Sequence, residues 1–255
     1  MLEVRRLNKA YGGLQVVADV DFDVAAGSLV GLIGPNGAGK TTCFNLISGF
    51  VRADAGSISF EGTEIAGQRP DVLARMGLVR TFQQVSVFAQ DTVLANVVQA
   101  AHLHDPTRVW GTLWGTAGQR AGAATITARA MAVLERVGLA EDAGALAGAL
   151  PYGQQKKLGI AIALATSPRL LMLDEPVAGL NPAESAEIAR LIGQLRTEGI
   201  TILLVEHDMR TVMRLCDRLV VLSEGKKIAE GLPAEIRNHP EVIRVYLGTG
   251  TAGGH

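Results

Sequence analysis

Gly34-Pro35-Asn36-Gly37-Ala38-Gly39-Lys40-Thr41 fits the pattern G-x-x-x-x-G-K-[ST]. It stands where that pattern carries meaning, after the aliphatic run Leu29 to Ile33 and before a helical pattern over Lys40 to Gly49. Glycines let the backbone wrap until its N–H groups point inward at phosphate oxygens, and the following helix N-terminus adds positive dipole. In such a loop Lys40 reaches the β- and γ-phosphates of a nucleotide, and Thr41 offers a hydroxyl to Mg²⁺. An ordinary glycine-rich turn has no need of all four fixed positions in strand–loop–helix order. The reading that follows is an α/β fold with a P-loop NTPase core that takes a nucleotide and Mg²⁺.

The rest of the chain is consistent with one α/β domain carrying an inserted piece. Leu29 to Ile33, Leu170 to Leu173 and Thr201 to Val205 are short aliphatic runs, as expected of parallel strands covered on both faces. Gln15 to Val24 and Ser57 to Ile65 alternate apolar and polar residues instead, which predicts half-exposed antiparallel strands. Helices are predicted over Lys40 to Gly49, Pro182 to Gly199 and Met209 to Cys216. Between Asp91 and Ser167 the strand signal disappears, and patterns at Thr92 to Ala101, Ile126 to Val137 and Gln154 to Ala165 predict a helical subdomain. Leu219 to Leu222 and Lys227 to Ala229 flank a hairpin signal, a last helix is predicted over Pro233 to Leu247, and Thr249 to His255 reads as a frayed tail. The expected boundaries are a single domain over 1–248, with the nucleotide core at about 1–92 and 166–231 and the helical subdomain at about 93–165.

Composition narrows the function. The 255 residues carry 24 Lys plus Arg against 25 Asp plus Glu, a net charge of −1 that argues against a general polyanion binder. Mean hydropathy is high at +0.24, yet the uncharged stretch Val24 to Gly39 is interrupted by glycines and a proline and is no membrane span. Cys43 and Cys216 show no C-x-x-C spacing, and the N-terminus has no apolar leader pattern, so the cytosol is the expected compartment.

A phosphate loop alone leaves many nucleotide hydrolases open, and the far half of the chain narrows them. Leu170 to Leu173 runs into Asp174-Glu175, two carboxylates at the carboxyl end of a core strand, where ligands of open α/β sheets gather. Asp174 would hold Mg²⁺ through its water shell, and Glu175 would polarise the water that attacks the γ-phosphate. His207 follows the third core strand and can reach the same phosphate. His102 and His104 make a poor metal pair and read as surface residues, Trp110 and Trp114 as a packed pair, Lys156 and Lys157 as a solvated helix face, and Cys43 as a small buried apolar residue.

Several of these segments occur in the order found in ABC transporter ATP-binding subunits, which the chain resembles. They are the phosphate loop, Arg80-Thr81-Phe82-Gln83-Gln84, Leu150-Pro151-Tyr152-Gly153-Gln154-Gln155, Leu173-Asp174-Glu175-Pro176, Ala178-Gly179-Leu180-Asn181-Pro182 and Glu206-His207-Asp208. The Leu-Pro-Tyr-Gly-Gln segment looks like the ABC signature, the element other P-loop classes lack, although Pro-x-Gly also reads as punctuation before a helix. The closing Glu235 to Gly248 segment resembles more narrowly the ATP-binding proteins of branched-chain amino acid importers of the LivG type. Pro151 departs from the signature serine, so a phosphate contact there has to come from Gly153 and the helix N-terminus, and Asn181 departs from the usual aspartate.

The resemblance implies an ABC ATPase fold: a RecA-like core, an antiparallel β subdomain and an inserted α-helical subdomain. It implies ATP sandwiched between the phosphate loop of one subunit and the signature of another in a head-to-tail dimer. Tyr11 would stack on adenine, Thr42 would add a phosphate contact, Gln83 would sense Mg²⁺ and the attacking water, and Gly153 with Gln154 would complete the partner's site. The implied partners are two permease subunits, a second ATPase chain of the same or a sister kind, and a periplasmic or extracellular solute-binding protein, at the cytoplasmic face of the inner membrane. The expected function is ATP hydrolysis that energises uptake of branched-chain or related amino acids. The alternatives are a urea or amide importer, a lipopolysaccharide exporter, or a soluble ABC ATPase acting on DNA or ribosomes, a class whose basic arms and coiled-coil insertions are not visible here.

Overall fold

The computed structural model describes residues 1–81, 87–102 and 117–248, with the side chains of 117–123 and 247–248 excepted. In chain order the elements are β1 (Leu2–Tyr11), β2 (Leu14–Val24), β3 (Leu29–Ile33), α1 (Lys40–Ile47), β4 (Ala55–Phe60), β5 (Thr63–Glu64), α2 (Pro70–Arg75), β6 (Leu78–Arg80) and α3 (Val93–Ala101). They continue with α4 (Ala117–Val137), a 3₁₀ turn (Ala147–Ala149), α5 (Tyr152–Ala165), β7 (Leu170–Asp174), α6 (Pro182–Thr197), β8 (Thr201–Val205) and α7 (Met209–Leu215). The chain closes with β9 (Arg218–Ser223), β10 (Lys226–Gly231), α8 (Pro233–Arg237) and α9 (Pro240–Gly248).

A six-stranded sheet runs β10-β9-β3-β8-β7-β6, parallel except for the β9–β10 hairpin. Because β3 lies between β9 and β8, the loop leaving it opens at a topological switch point, the crevice where α/β sheets take ligands. Side chains of the core strands alternate between two cores. Leu29, Ile33, Leu171, Leu173, Ile202 and Leu204 face one core with α3 to α6. Val30, Leu32, Leu170, Met172, Leu203 and Val205 face the other with Phe44 of α1 and the second sheet. This is why β3, β7 and β8 are buried throughout and mostly apolar rather than alternating.

The second sheet is antiparallel, in the order β2-β1-β4-β5, and the β9–β10 turn joins it to the phosphate loop. Ala18 N–H donates to Gly225 O at 2.7 Å, and Gly225 N–H donates to Ala38 O at 3.1 Å. Between Asp91 and Ser167 the described residues form α3, α4, the 3₁₀ turn and α5, with one isolated bridge, Thr92 to Leu146. Among the described residues no helix is long and apolar enough to cross a membrane.

Several sequence expectations need correction. The run read as one strand over Ser57 to Ile65 is the hairpin β4–β5, folded at Glu61-Gly62, where both residues have positive φ. The helix predicted over Pro233 to Leu247 is two, α8 and α9. Asn238 ends the first, and Pro240, which has no N–H to give a continuing helix, starts the second. Strand β1 gave no alternation to read because its register shifts around Arg6, which has φ +43°, so buried Leu2, Val4 and Leu7 are spaced two and then three apart. Lys156 is buried, not part of a solvated face. Cys43 is buried as expected, and burial pushes its thiol up to about 12. Trp110, Trp114 and His104 lie outside the described residues.

Candidate functional site

The phosphate loop takes its shape from its glycines. Gly34 has φ +150°, and a Cβ there would overlap the Leu222 carbonyl oxygen and stand 3.0 Å from Ala38 Cβ. Gly39 has φ +97°, and a Cβ there would come 2.6 Å from Val16 O of β2. The loop is therefore pressed between β9 and β2 at its two ends. At its tip Asn36 and Gly37 are exposed, with Gly37 at φ +78° and open space beside it. Pro35 is half-buried and Ala38 buried.

Lys40 opens α1 and is buried. Its Nζ donates to Gly34 O at 2.8 Å and Pro35 O at 2.9 Å, so the ammonium curls back under the loop it belongs to. Burial lowers its pKa, and the nearby Glu175 and Asp174 carboxylates work against that shift. Asp174 and Glu175 thus lie near enough to the Lys40 ammonium to act on its charge. Thr41 is exposed and Thr42 half-buried on the first turn of the same helix.

Asp174 ends β7 in a buried setting and accepts from Arg80 Nη2 at 2.7 Å. Glu175 follows in a left-handed conformation, φ +46°, which costs a side-chain-bearing residue about 1–3 kcal/mol and is held by its surroundings. Its N–H donates to Val205 O at 2.9 Å, tying the carboxyl ends of β7 and β8 together. His207 is exposed, and its Nδ1 stands 3.8 Å from Glu175 Oε1, adjacent but beyond hydrogen-bond reach.

Arg80 and Glu206 have parts in this site that the sequence did not reveal. Glu206 is fully buried, and burial raises its pKa while neighbouring backbone amides hold it down. Oε1 accepts from Val177 N–H at 3.0 Å and Oε2 from His207 N–H at 3.1 Å, so one carboxylate fixes the turns after β7 and β8.

The signature-like residues lie elsewhere. Pro151, with φ −54°, precedes α5, and Gly153 is on the helix's first turn, where a Cβ would meet Glu184 Oε1 at 2.9 Å. Tyr152 packs beside Gly179. Lys156, one turn on, has its Nζ 5.5 Å from the Tyr152 ring centroid and 3.4 Å from Glu175 O. Gly153 thus neighbours the first turn of α6. Asn181 caps α6 reciprocally: its Oδ1 accepts from Ala183 and Glu184 N–H at 3.0 Å each, and Glu184 Oε2 accepts from Asn181 N–H at 3.0 Å. Tyr11 is an exposed ring at the end of β1, with Lys9 Nζ 5.4 Å from its centroid. Gln83 lies outside the described residues.

The donor set fits a hydrated Mg²⁺ bound with nucleotide. Its oxygens are hard, and among the described residues no group of three or more His, Cys, Asp and Glu side chains could cage a metal alone. An ion here would take the Thr41 hydroxyl and the Asp174 carboxylate from the protein, and the rest of its shell from water and phosphate.

Residues 17–178 match the family model described as ABC transporter, and residues 226–252 match that of the branched-chain amino acid ATP-binding cassette transporter. The chain is 45% identical over 249 residues to the high-affinity branched-chain amino acid transport ATP-binding protein LivG of Salmonella typhimurium, covering 97% of this chain and 98% of that one. It is equally similar, 45% over the same lengths, to BraF of Pseudomonas aeruginosa, which carries the same description. Among solved structures, the ADP conformation of MJ1267, an ATP-binding cassette of an ABC transporter, superposes with a TM-score of 0.84 at 30% identity, covering 97% of this chain and 98% of that one.

Proposed function

The chain belongs to the ABC transporter family, and from that premise we propose that it is the ATP-hydrolysing subunit of an importer for branched-chain or closely related amino acids. The observation that carries the chemistry is the meeting of Lys40, Asp174, Glu175 and His207 at the carboxyl ends of the parallel strands β3, β7 and β8. The solute class rests on the LivG and BraF relatives and on the match of residues 226–252.

In this reading the backbone N–H groups of Gly34 to Lys40 and the N-terminus of α1 cradle the phosphates, with Thr42 adding a hydroxyl. Lys40 Nζ exchanges the Gly34 and Pro35 carbonyls for β- and γ-phosphate oxygens. Thr41 and Asp174 would hold Mg²⁺, which would draw charge from the β- and γ-phosphates. Tyr11 stacks on adenine, and Gln83 reports the metal and water to the helical region. Water attacks the γ-phosphorus, Glu175 accepts its proton, and the bond from that phosphorus to the β–γ bridging oxygen breaks, leaving ADP and phosphate. His207 keeps water and Glu175 in register.

Gly153 and Gln154 belong to the site of a second ATPase chain. With Pro151 offering neither hydroxyl nor N–H, the first-turn amides of α5 make that contact. Closure of two such chains excludes water, and hydrolysis removes the γ-phosphate bridge and reopens them. Separate permease subunits would then take up the motion at the cytoplasmic face of the membrane.

The test is uptake into vesicles holding the full complex with Glu175→Gln. Hydrolysis and uptake fall together about 10²–10⁴-fold while ATP still binds. Wild-type rates of both would remove Glu175 from the role.

A further inference from the structure

Arg80 ends β6, three residues before Gln83, and its side chain is as buried as the carboxylate it meets, 8% and 9% exposed. Nη2 donates to Asp174 Oδ2 at 2.7 Å, and Nη1 donates to Asn45 Oδ1 at 2.7 Å and Ser48 Oγ at 2.9 Å. The guanidinium carbon lies 5.4 Å and 5.7 Å from the ring centroids of Phe44 and Phe50. A planar guanidinium held by Asn45 and Ser48 through one nitrogen sets the other, and its positive charge, against Asp174.

We propose that Arg80 is a positioning residue, a resident counter-ion for Asp174 that keeps the metal site closed to a bare divalent cation until a nucleotide arrives. It occupies Oδ2, leaving Oδ1 to face a hydrated ion. Lys40 lies near Glu175 and Asp174, so Arg80 and Lys40 together offset these two carboxylates and weaken their attraction for a free ion. The triphosphate then supplies both the missing negative charge and the missing oxygens, and metal and nucleotide enter as a pair. This inference rests on Asp174 being the metal carboxylate.

The test uses the full chain and Mn²⁺ alone, counted by electron paramagnetic resonance without nucleotide. Arg80→Gln binds Mn²⁺ at least tenfold more tightly than wild type, Arg80→Lys stays with wild type because the charge is kept, and Arg80→Gln/Asp174→Asn loses the gain. Arg80→Gln melts below wild type, and the neutral double variant recovers most of that loss. A folded Arg80→Gln that binds Mn²⁺ as wild type does would overturn the proposal, as would Arg80→Lys behaving like Arg80→Gln. If Arg80→Gln is too unstable to assay, a double variant melting equally low would show that Arg80 acts through Asn45, Ser48 and the rings instead, and would overturn it too. Asp174→Asn alone tests the reading beneath: unchanged Mg²⁺ dependence of ATP binding would remove Asp174 as the metal carboxylate, whatever Arg80 does.

Discussion

Gly39→Ala tests whether the phosphate loop is held from outside by the antiparallel sheet. The Cβ it adds would stand 2.6 Å from Val16 O, whereas close C···O approaches begin near ~3.3 Å, so loop and strand must part by about 0.7 Å. They cannot part freely, because Ala38 O and Ala18 N–H are both bound to Gly225 in the β9–β10 turn. Forcing φ +97° on alanine costs about 1–2 kcal/mol, and overpacking adds about 1–3, for a total of about 2–5 kcal/mol. Gly37→Ala is the control: φ is +78° with no heavy atom within 4 Å of the new Cβ, so only the backbone term applies, about 1–2 kcal/mol. Urea unfolding should rank wild type above Gly37→Ala and Gly37→Ala above Gly39→Ala. Since Gly39 also caps α1, ATP affinity of the folded Gly39→Ala variant should drop at least about tenfold, the equivalent of about 1.4 kcal/mol. If Gly39→Ala is as stable as Gly37→Ala, the loop is not braced by β2 and the reasoning fails.

Tyr11→Ala should weaken ATP binding by about 1–3 kcal/mol, the worth of one stacked base, and leave inorganic triphosphate binding unchanged; equal losses for both ligands would place Tyr11 elsewhere. Asp208 caps α7, and the Thr211 hydroxyl and backbone amides hold its carboxyl below the usual carboxylate range. A lowered folded pKa gives stability that is present at neutral pH and lost as pH falls through it. Asp208→Ala should therefore cost about 0.5–2 kcal/mol near neutrality, and the gap to wild type should close in acid; a gap that is constant with pH would show that the carboxylate charge plays no part.

What the sequence made legible is what a short stretch encodes. The phosphate loop, the β7 carboxylates and His207 each adjoin their strand in the chain, so residue type and spacing located them before any fold was known. Features that depend on pairing across the sheet were opaque. Arg80 and Asp174 are 94 residues apart, and nothing in Arg80-Thr81-Phe82-Gln83 distinguishes a buried counter-ion from a surface arginine. Lys156 and Lys157 illustrate a second limit. Adjacent helix residues point about 100° apart, so Lys156 turns inward toward Glu175 O while Lys157 pairs with Glu187 at 2.7 Å. Strand β1 was missed for a third reason, since its irregular register breaks the period-two pattern on which strand recognition depends.

Neighbouring carboxylates with different surroundings divide the labour of the site. Glu175 is only partly buried, holds a strained φ, and has Oε1 3.8 Å from His207 Nδ1. Glu206 is fully buried, accepts from Val177 and His207 N–H, and has none of its surface in the crevice. In the proposed mechanism the first takes a proton from water; the second accepts from backbone amides of the two turns that carry Glu175 and His207. Exchanging their surroundings would lose both the proposed base and its support, so the placing of Glu175 just after β7 and of Glu206-His207 just after β8 follows from what each position at the sheet edge can bury.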